Sequence, residues 1–223
     1  MNRLNRTNHR ATSSNVYWAA RGCVSVASGV SSTSAAQEFS SFAALREHAL
    51  ACTACPLAAT RTQVVFGVGD EHASLMFVGE GPGADEDRLG EPFVGRAGKL
   101  LTSLIEGIGM TRAGVYIANV VKCRPPGNRD PAPAEIEACR PFLEAQLDFI
   151  APRVVVTLGN FATKLLLDTK TGITKLRGQV QPYRDGAVVI PVLHPSAVLR
   201  NGGAALAQAR ADFVVIRRTL NTA

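Results

Sequence analysis

The chain has 223 residues, 46% of them hydrophobic and 19% charged, with 24 Lys+Arg against 18 Asp+Glu and a formal charge of +6. That composition can build the core of one ordinary globular domain; it excludes a coiled coil, a wholly disordered chain and a disulfide-stapled mini-protein. No uninterrupted apolar run approaches the ~18 residues of a membrane span. Residues 1–37 carry Arg3, Arg6, Arg10 and Arg21 and no acid, and they show no sustained apolar period. Without those four arginines, 20 basic residues face 18 acidic ones, so most of the excess charge belongs to the leader. We expect residues 1–39 to form a flexible basic extension and residues 40–223 to form the domain. An Arg- and Ser-rich, acid-free leader is also similar to an organelle transit peptide. Cys23 lies within it and receives no role.

From Phe42 onward the pattern changes. Four short apolar runs read as buried strands: 74–79 (SLMFVG), 115–121 (VYIANVV), 154–158 (VVVTL) and 188–193 (VVIPVL). Helical patterns occupy about 96–108, 133–150, 162–168 and 204–220. Strands alternating with helices imply a parallel sheet covered on both faces. Right-handed crossovers then make a three-layer α/β/α sandwich with a short central four-stranded parallel sheet. In such sheets ligands bind beyond the carboxyl ends of the strands. There stand Gly79-Glu80-Gly81-Pro82-Gly83, Asn119, Gly159-Asn160 and His194-Pro195-Ser196.

Cys52 and Cys55 form a C-x2-C pair, with Cys123 and Cys139 further on. Four thiolates satisfy a tetrahedral zinc site or a [4Fe-4S] cluster equally well on counting alone, and spacing does not choose between them. The turn Gly79–Ala84 superficially fits the dinucleotide fingerprint. The acid expected about 20 residues on is missing, since Lys99 and Leu100 stand there. Gly98-Lys99 hints at a phosphate-binding loop, but Phe93 replaces its first glycine and no Ser or Thr follows the lysine. Neither nucleotide reading holds.

Taken together, GEGPGADED (79–87), EPFVGRAG (91–98), IANVVKCRPPGNRDP (117–131) and HPS (194–196) resemble the family 4, iron–sulfur uracil-DNA glycosylases. The likeness runs from about Phe42 to the C-terminus. It implies the α/β/α fold already read from the strands, and a [4Fe-4S] cluster on Cys52, Cys55, Cys123 and Cys139. It also implies hydrolysis of the bond between deoxyribose and uracil in base excision repair. By the resemblance, His194 is the donor to uracil O2 as the base departs. Asn119 reads uracil N3–H and O4, Phe93 stacks on the extruded base, and Glu80 and Gly81 position the attacking water. Glu86 crowds the C5 edge against thymine. The better-known uracil glycosylases have an aspartate where Gly81 stands, so here cleavage depends on leaving-group stabilisation and positioning.

DNA must also be gripped. Arg96, Lys99, Lys122, Arg124, Arg129, Arg177 and Arg200 are candidates for phosphate contacts. Residues 196–200 read as a loop, with Ser196, an apolar wedge in Val198-Leu199, and the cation Arg200. The expected partner is uracil-containing DNA, single- or double-stranded, with no membrane and no second copy of the chain; a replication-clamp contact leaves no legible signal. The resemblance implies a cytoplasmic enzyme. Two competitors remain. A related iron–sulfur group that crosslinks to the uracil site needs a histidine after strand two, and residues 122–139 contain none. A non-catalytic, metal-stabilised nucleic-acid-binding protein explains the cysteines but not Phe93, Asn119 and His194 together.

Overall fold

A computed structural model describes residues 39–222. The expected extension therefore lies outside the described residues, apart from its last member. Phe39 packs against His48 and Phe142, with ring centroids 5.5 and 6.5 Å away, so the packed domain includes it.

The sheet has six strands: β1 (Val68–Gly69), β2 (Leu75–Gly79), β3 (Tyr116–Asn119), β4 (Val154–Leu158), β5 (Gln181–Pro182) and β6 (Val188–Val192). Their order is β1-β3-β2-β4-β6-β5. The four expected strands form its parallel centre, and β1 and β5 add two-residue antiparallel edges. Those edges are too short to give an apolar run, which is why the expected count was four. Around the sheet lie α1 (Phe42–Leu50), α2 (Ala84–Leu89), α3 (Arg96–Glu106), α4 (Pro133–Ile150), α5 (Asn160–Leu166), α6 (Ile173–Leu176), α7 (Pro195–Asn201) and α8 (Gly203–Thr222).

The strands are continuously apolar because both faces are covered. Met76, Val78, Tyr116, Ala118, Val155 and Val189 point into one core, shared with Leu45 of α1 and Leu143 of α4. Their neighbours Leu75, Phe77, Ile117, Val154, Val156 and Ile190 point into a second core with Leu101 of α3 and Phe213 of α8. This is the period-2 alternation of a pleated sheet, with both phases buried. The parallel register sets Gly79 beside Asn119, so the ends of β2 and β3 share one edge.

Residues 196–200 are not a loop. They belong to α7, which begins with Pro195 at its first position and His194 as its N-cap. Val198 is 2% exposed and packs in the second core, so it is no wedge; Leu199 is 49% exposed. Among the described residues no helix is long and apolar enough to cross a membrane.

Candidate active site

The carboxyl ends of the strands open into a cleft of about 1060 Å³. Its lining includes Glu80, Gly81, Glu86, Phe93, Asn119, His194, Ser196 and Arg200. All six non-cysteine residues assigned by resemblance are thus brought together, with Ser196 and Arg200 of the DNA-binding candidates; Leu199 lies outside the lining, on the exposed side of α7.

Each wall is fixed locally. Asn119 ends β3 and is 1% exposed, yet its Oδ1 has no hydrogen-bond partner. A buried polar atom without a partner carries a cost of roughly 1–3 kcal/mol, so this acceptor is aimed at something that donates. Phe93 is 8% exposed and has φ 54°, an uncommon conformation for an aromatic residue. Arg112 Nη2 donates to the Pro92 carbonyl at 2.5 Å, holding the turn that carries the ring. Gly79 lets both residues approach the end of β2. A Cβ there would sit 2.4 Å from Asn119 Oδ1 and 2.7 Å from Phe93 Cζ.

His194 faces Phe93, with ring centroids 5.7 Å apart. Its Nδ1 accepts the Ser196 backbone N–H at 3.1 Å, which caps α7. Burial, with the nearby Arg200 cation adding to it, pushes the imidazole down to about 4. The ring is therefore neutral at pH 7. Because Nδ1 is an acceptor, the proton sits on Nε2. The HPS motif is thus a helix cap that also fixes a tautomer.

At Gly81 a Cβ would lie 2.8 Å from Val121 Cγ2. A side chain there requires Val121 to move, so this backbone has no ready place for an aspartate. Glu86 lines the cleft but is committed elsewhere: its Oε1 accepts the N–H groups of Val94 and Gly95 at 3.0 and 3.3 Å, leading into α3.

A family model of the uracil DNA glycosylase superfamily matches residues 66–220. A type-4 uracil-DNA glycosylase of Thermotoga maritima is 54% identical over 151 residues, 67% of this chain and 79% of the relative. Those of Archaeoglobus fulgidus and Sulfurisphaera tokodaii are 49% and 47% identical, covering 67% and 70% of this chain and 79% and 75% of theirs. The chain belongs to the uracil-DNA glycosylase superfamily, among its type-4 members.

In this glycosylase the phosphate candidates divide. Arg200 lies at the cleft, whereas Lys122 is 2% exposed and fully interior, so it is no phosphate ligand. Its Nζ donates to the Asn119 carbonyl at 2.8 Å and to Gln146 Oε1 at 2.5 Å. Arg177 forks onto Asp212 at 2.7 and 3.1 Å, and Arg129 onto Glu135 at 2.6 and 2.8 Å. The sequence reading missed Lys164 and Lys170, exposed cations at the cleft that belong to no motif. It also missed Asp130, which lies inside a recognised motif without a role.

A second pocket is lined by Cys52, Cys55, Cys123 and Cys139 together. Backbone and side-chain N–H groups already point at three of the sulfurs: Ala54 at Cys52 (3.5 Å), Arg61 Nη1 at Cys123 (3.3 Å) and Lys122 at Cys139 (3.2 Å). Burial pushes the Cys139 thiol up to about 11, although the Lys122 ammonium pulls the other way. Among the described residues no group of three or more His, Cys, Asp or Glu closes on a single-ion position.

Proposed function

We propose that the cleft receives a uracil extruded from DNA and hydrolyses its N-glycosidic bond, leaving an abasic site as the first step of base excision repair. The observation that carries this reading is the unpartnered Asn119 Oδ1, buried beside Phe93 and the neutral His194. Uracil offers an N3–H donor to that oxygen, and its O4 accepts from the amide nitrogen. Phe93 supplies the apolar face that a flipped base requires.

Chemically, departure of uracil leaves negative charge on N1 and O2. His194 Nε2–H donates to O2 as that charge grows, from a neutral ring whose single proton is kept on Nε2 by the Ser196 contact at Nδ1. Donors set in place before the charge develops are the strongest catalytic contribution available without a nucleophile. Gly81 offers backbone rather than carboxylate, so Glu80 is the acidic group left to hold the water. Glu86 braces the segment before α3 and, through it, the Phe93 turn. Its thymine-excluding role is an expectation that rests on its place in the lining. Arg200, Ser196 and the exposed Leu199 form the DNA-facing side of α7, with Lys164 and Lys170 across the cleft; these give sequence-independent affinity.

We assign a [4Fe-4S] cluster to Cys52, Cys55, Cys123 and Cys139. Four sulfurs on one pocket with N–H donors at three of them fit such a group. When bound, the cluster supplies positive iron charge to buried thiolates and ties their segments together.

The test is release of free uracil, with an abasic site left behind, from a uracil-containing oligonucleotide. Matched thymine and cytosine oligonucleotides should stay intact. A protein that binds the uracil strand yet releases no base is not the enzyme described.

A further inference from the structure

Two carboxyl groups meet at the cleft with no role yet given to one of them. Glu80 follows the end of β2, and Asp130 lies in the segment between β3 and α4; both line the cleft, placed so that their carboxyls can share a hydrogen bond when one of them is protonated. Asp130 is also held in place. The Arg129 guanidinium forks onto Glu135, and its Nη1 donates to the Asp130 carbonyl at 2.9 Å. Glu135, 4% exposed, also accepts the Ala132 N–H at 2.8 Å. The segment is clamped around one buried carboxylate at the start of α4.

We propose that Asp130 is a positioning residue for hydrolysis, acting through Glu80 on the attacking water. The inference rests on reading the cleft as the uracil site. The N1–C1′ bond breaks with its electron pair leaving on uracil, and the water oxygen bonds to C1′. The water proton passes to the Glu80 carboxylate, and the new Glu80 O–H donates to Asp130. Asp130 thus strengthens its contact as the proton arrives, which makes Glu80 a better acceptor than a lone glutamate.

Burial first, then the charge and hydrogen bond of Asp130, push the Glu80 carboxyl up to about 7. A base of that kind is half ionised near neutral pH, where general-base catalysis is most effective. The other charged or titratable groups lining the cleft are Glu86 of α2, Arg129 beside Asp130, Lys164 of α5, Asp168 and Lys170 after it, and His194 and Arg200 at α7. Of the charged groups, only Asp130 is a resolved influence on Glu80. His194, held near 4, cannot produce a transition near 7.

The experiment is the pH profile of the single-turnover rate of uracil release at saturating DNA. The wild-type rate should rise through a limb near pH 7. Glu80→Gln should abolish the limb. Asp130→Asn, which removes a charge from an exposed residue, should move it down by about one pH unit, and Asp130→Glu should bring it back. If Asp130→Asn slows the enzyme but leaves the limb in place while Glu80→Gln removes it, Asp130 is merely structural and the proposal falls alone. A limb that survives Glu80→Gln removes Glu80 as the base and the proposal with it. No uracil release at any pH overturns the reading of the cleft itself.

Discussion

His194→Ala tests the centre of the chemistry and can be worked out in parts. The imidazole has one observed contact and one proposed role: Nδ1 caps α7 by accepting the Ser196 N–H at 3.1 Å, and in the proposed function Nε2–H donates to the leaving base. Loss of a cap costs about 1 kcal/mol of stability. Loss of a preorganised donor to a developing anion costs on the order of 10²–10³ in rate, or roughly 3–4 kcal/mol. The two are separable, because His194→Asn can cap the helix through its side-chain oxygen but is too short to replace Nε2. In both variants the single-turnover rate at pH 8 should fall by roughly 10²–10³ with little change in affinity for uracil-DNA, since the donor acts mainly in the transition state. Thermal stability should drop for the alanine variant and return for the asparagine one. A rate loss below tenfold in both would refute the assignment of His194 as the donor. So would a pH transition near 6.5 in a Glu80→Gln background, which would indicate an imidazolium rather than a ring held near 4 by burial.

Other outcomes follow from the same geometry. Asn119→Asp should abolish uracil excision, because an anion replaces the amide donor to O4; intact activity in a uracil-release assay would mean that β3 does not read the base. Arg200→Ala should weaken binding to all DNA and make the salt slope shallower by about one contact, measured by titration across salt concentrations. Cys123→Ser should remove the visible absorbance and about four irons per chain and lower the melting temperature, whereas Cys23→Ser should change neither; a colourless wild type holding one zinc would overturn the cluster. Deleting residues 1–37 should preserve excision at saturating DNA, since that stretch offers no apolar face to dock; a truncated chain that does not fold would show that the leader belongs to the domain.

The parallel core was legible because burial on both faces of a strand leaves an unmistakable apolar run, as in VVVTL (154–158). The cleft residues were legible for a different reason: Asn119 ends β3 and His194 lies two residues past β6, and strand ends in such a sheet share one edge. What escaped was set by contacts distant in sequence. Nothing local shows that Glu86 turns to the N–H groups of Val94 and Gly95. Lys122 looked like a surface cation, and only the packing of α4 reveals that Gln146 takes its ammonium into the interior. α7 was hidden because a histidine N-cap is uncommon, so Pro195-Ser196 read as a turn rather than as the first helical positions.

The cysteine pocket and the base cleft share a piece of chain. Asn119 closes β3, Lys122 and Cys123 follow, and Cys139 lies nearly two turns into α4, on its buried face. Lys122 joins both sites: its backbone N–H meets Cys139 Sγ and its ammonium holds the Asn119 carbonyl. Gln146, which shares that ammonium, donates to the Phe66 carbonyl and the Tyr116 hydroxyl, so the network ends in the core beneath the sheet. Between Cys123 and Cys139 runs the segment that delivers Arg129 and Asp130 to the cleft. A group binding both cysteines closes that segment into a loop with fixed ends, reducing the freedom of the residues within it. Arg129 and Glu135 then fasten the same loop from inside. On this geometry a cluster on the four cysteines needs no electron transfer to matter for hydrolysis. Bound there, it would hold the far side of the cleft at a fixed distance from Glu80 and His194, where small displacements of catalytic groups are costly.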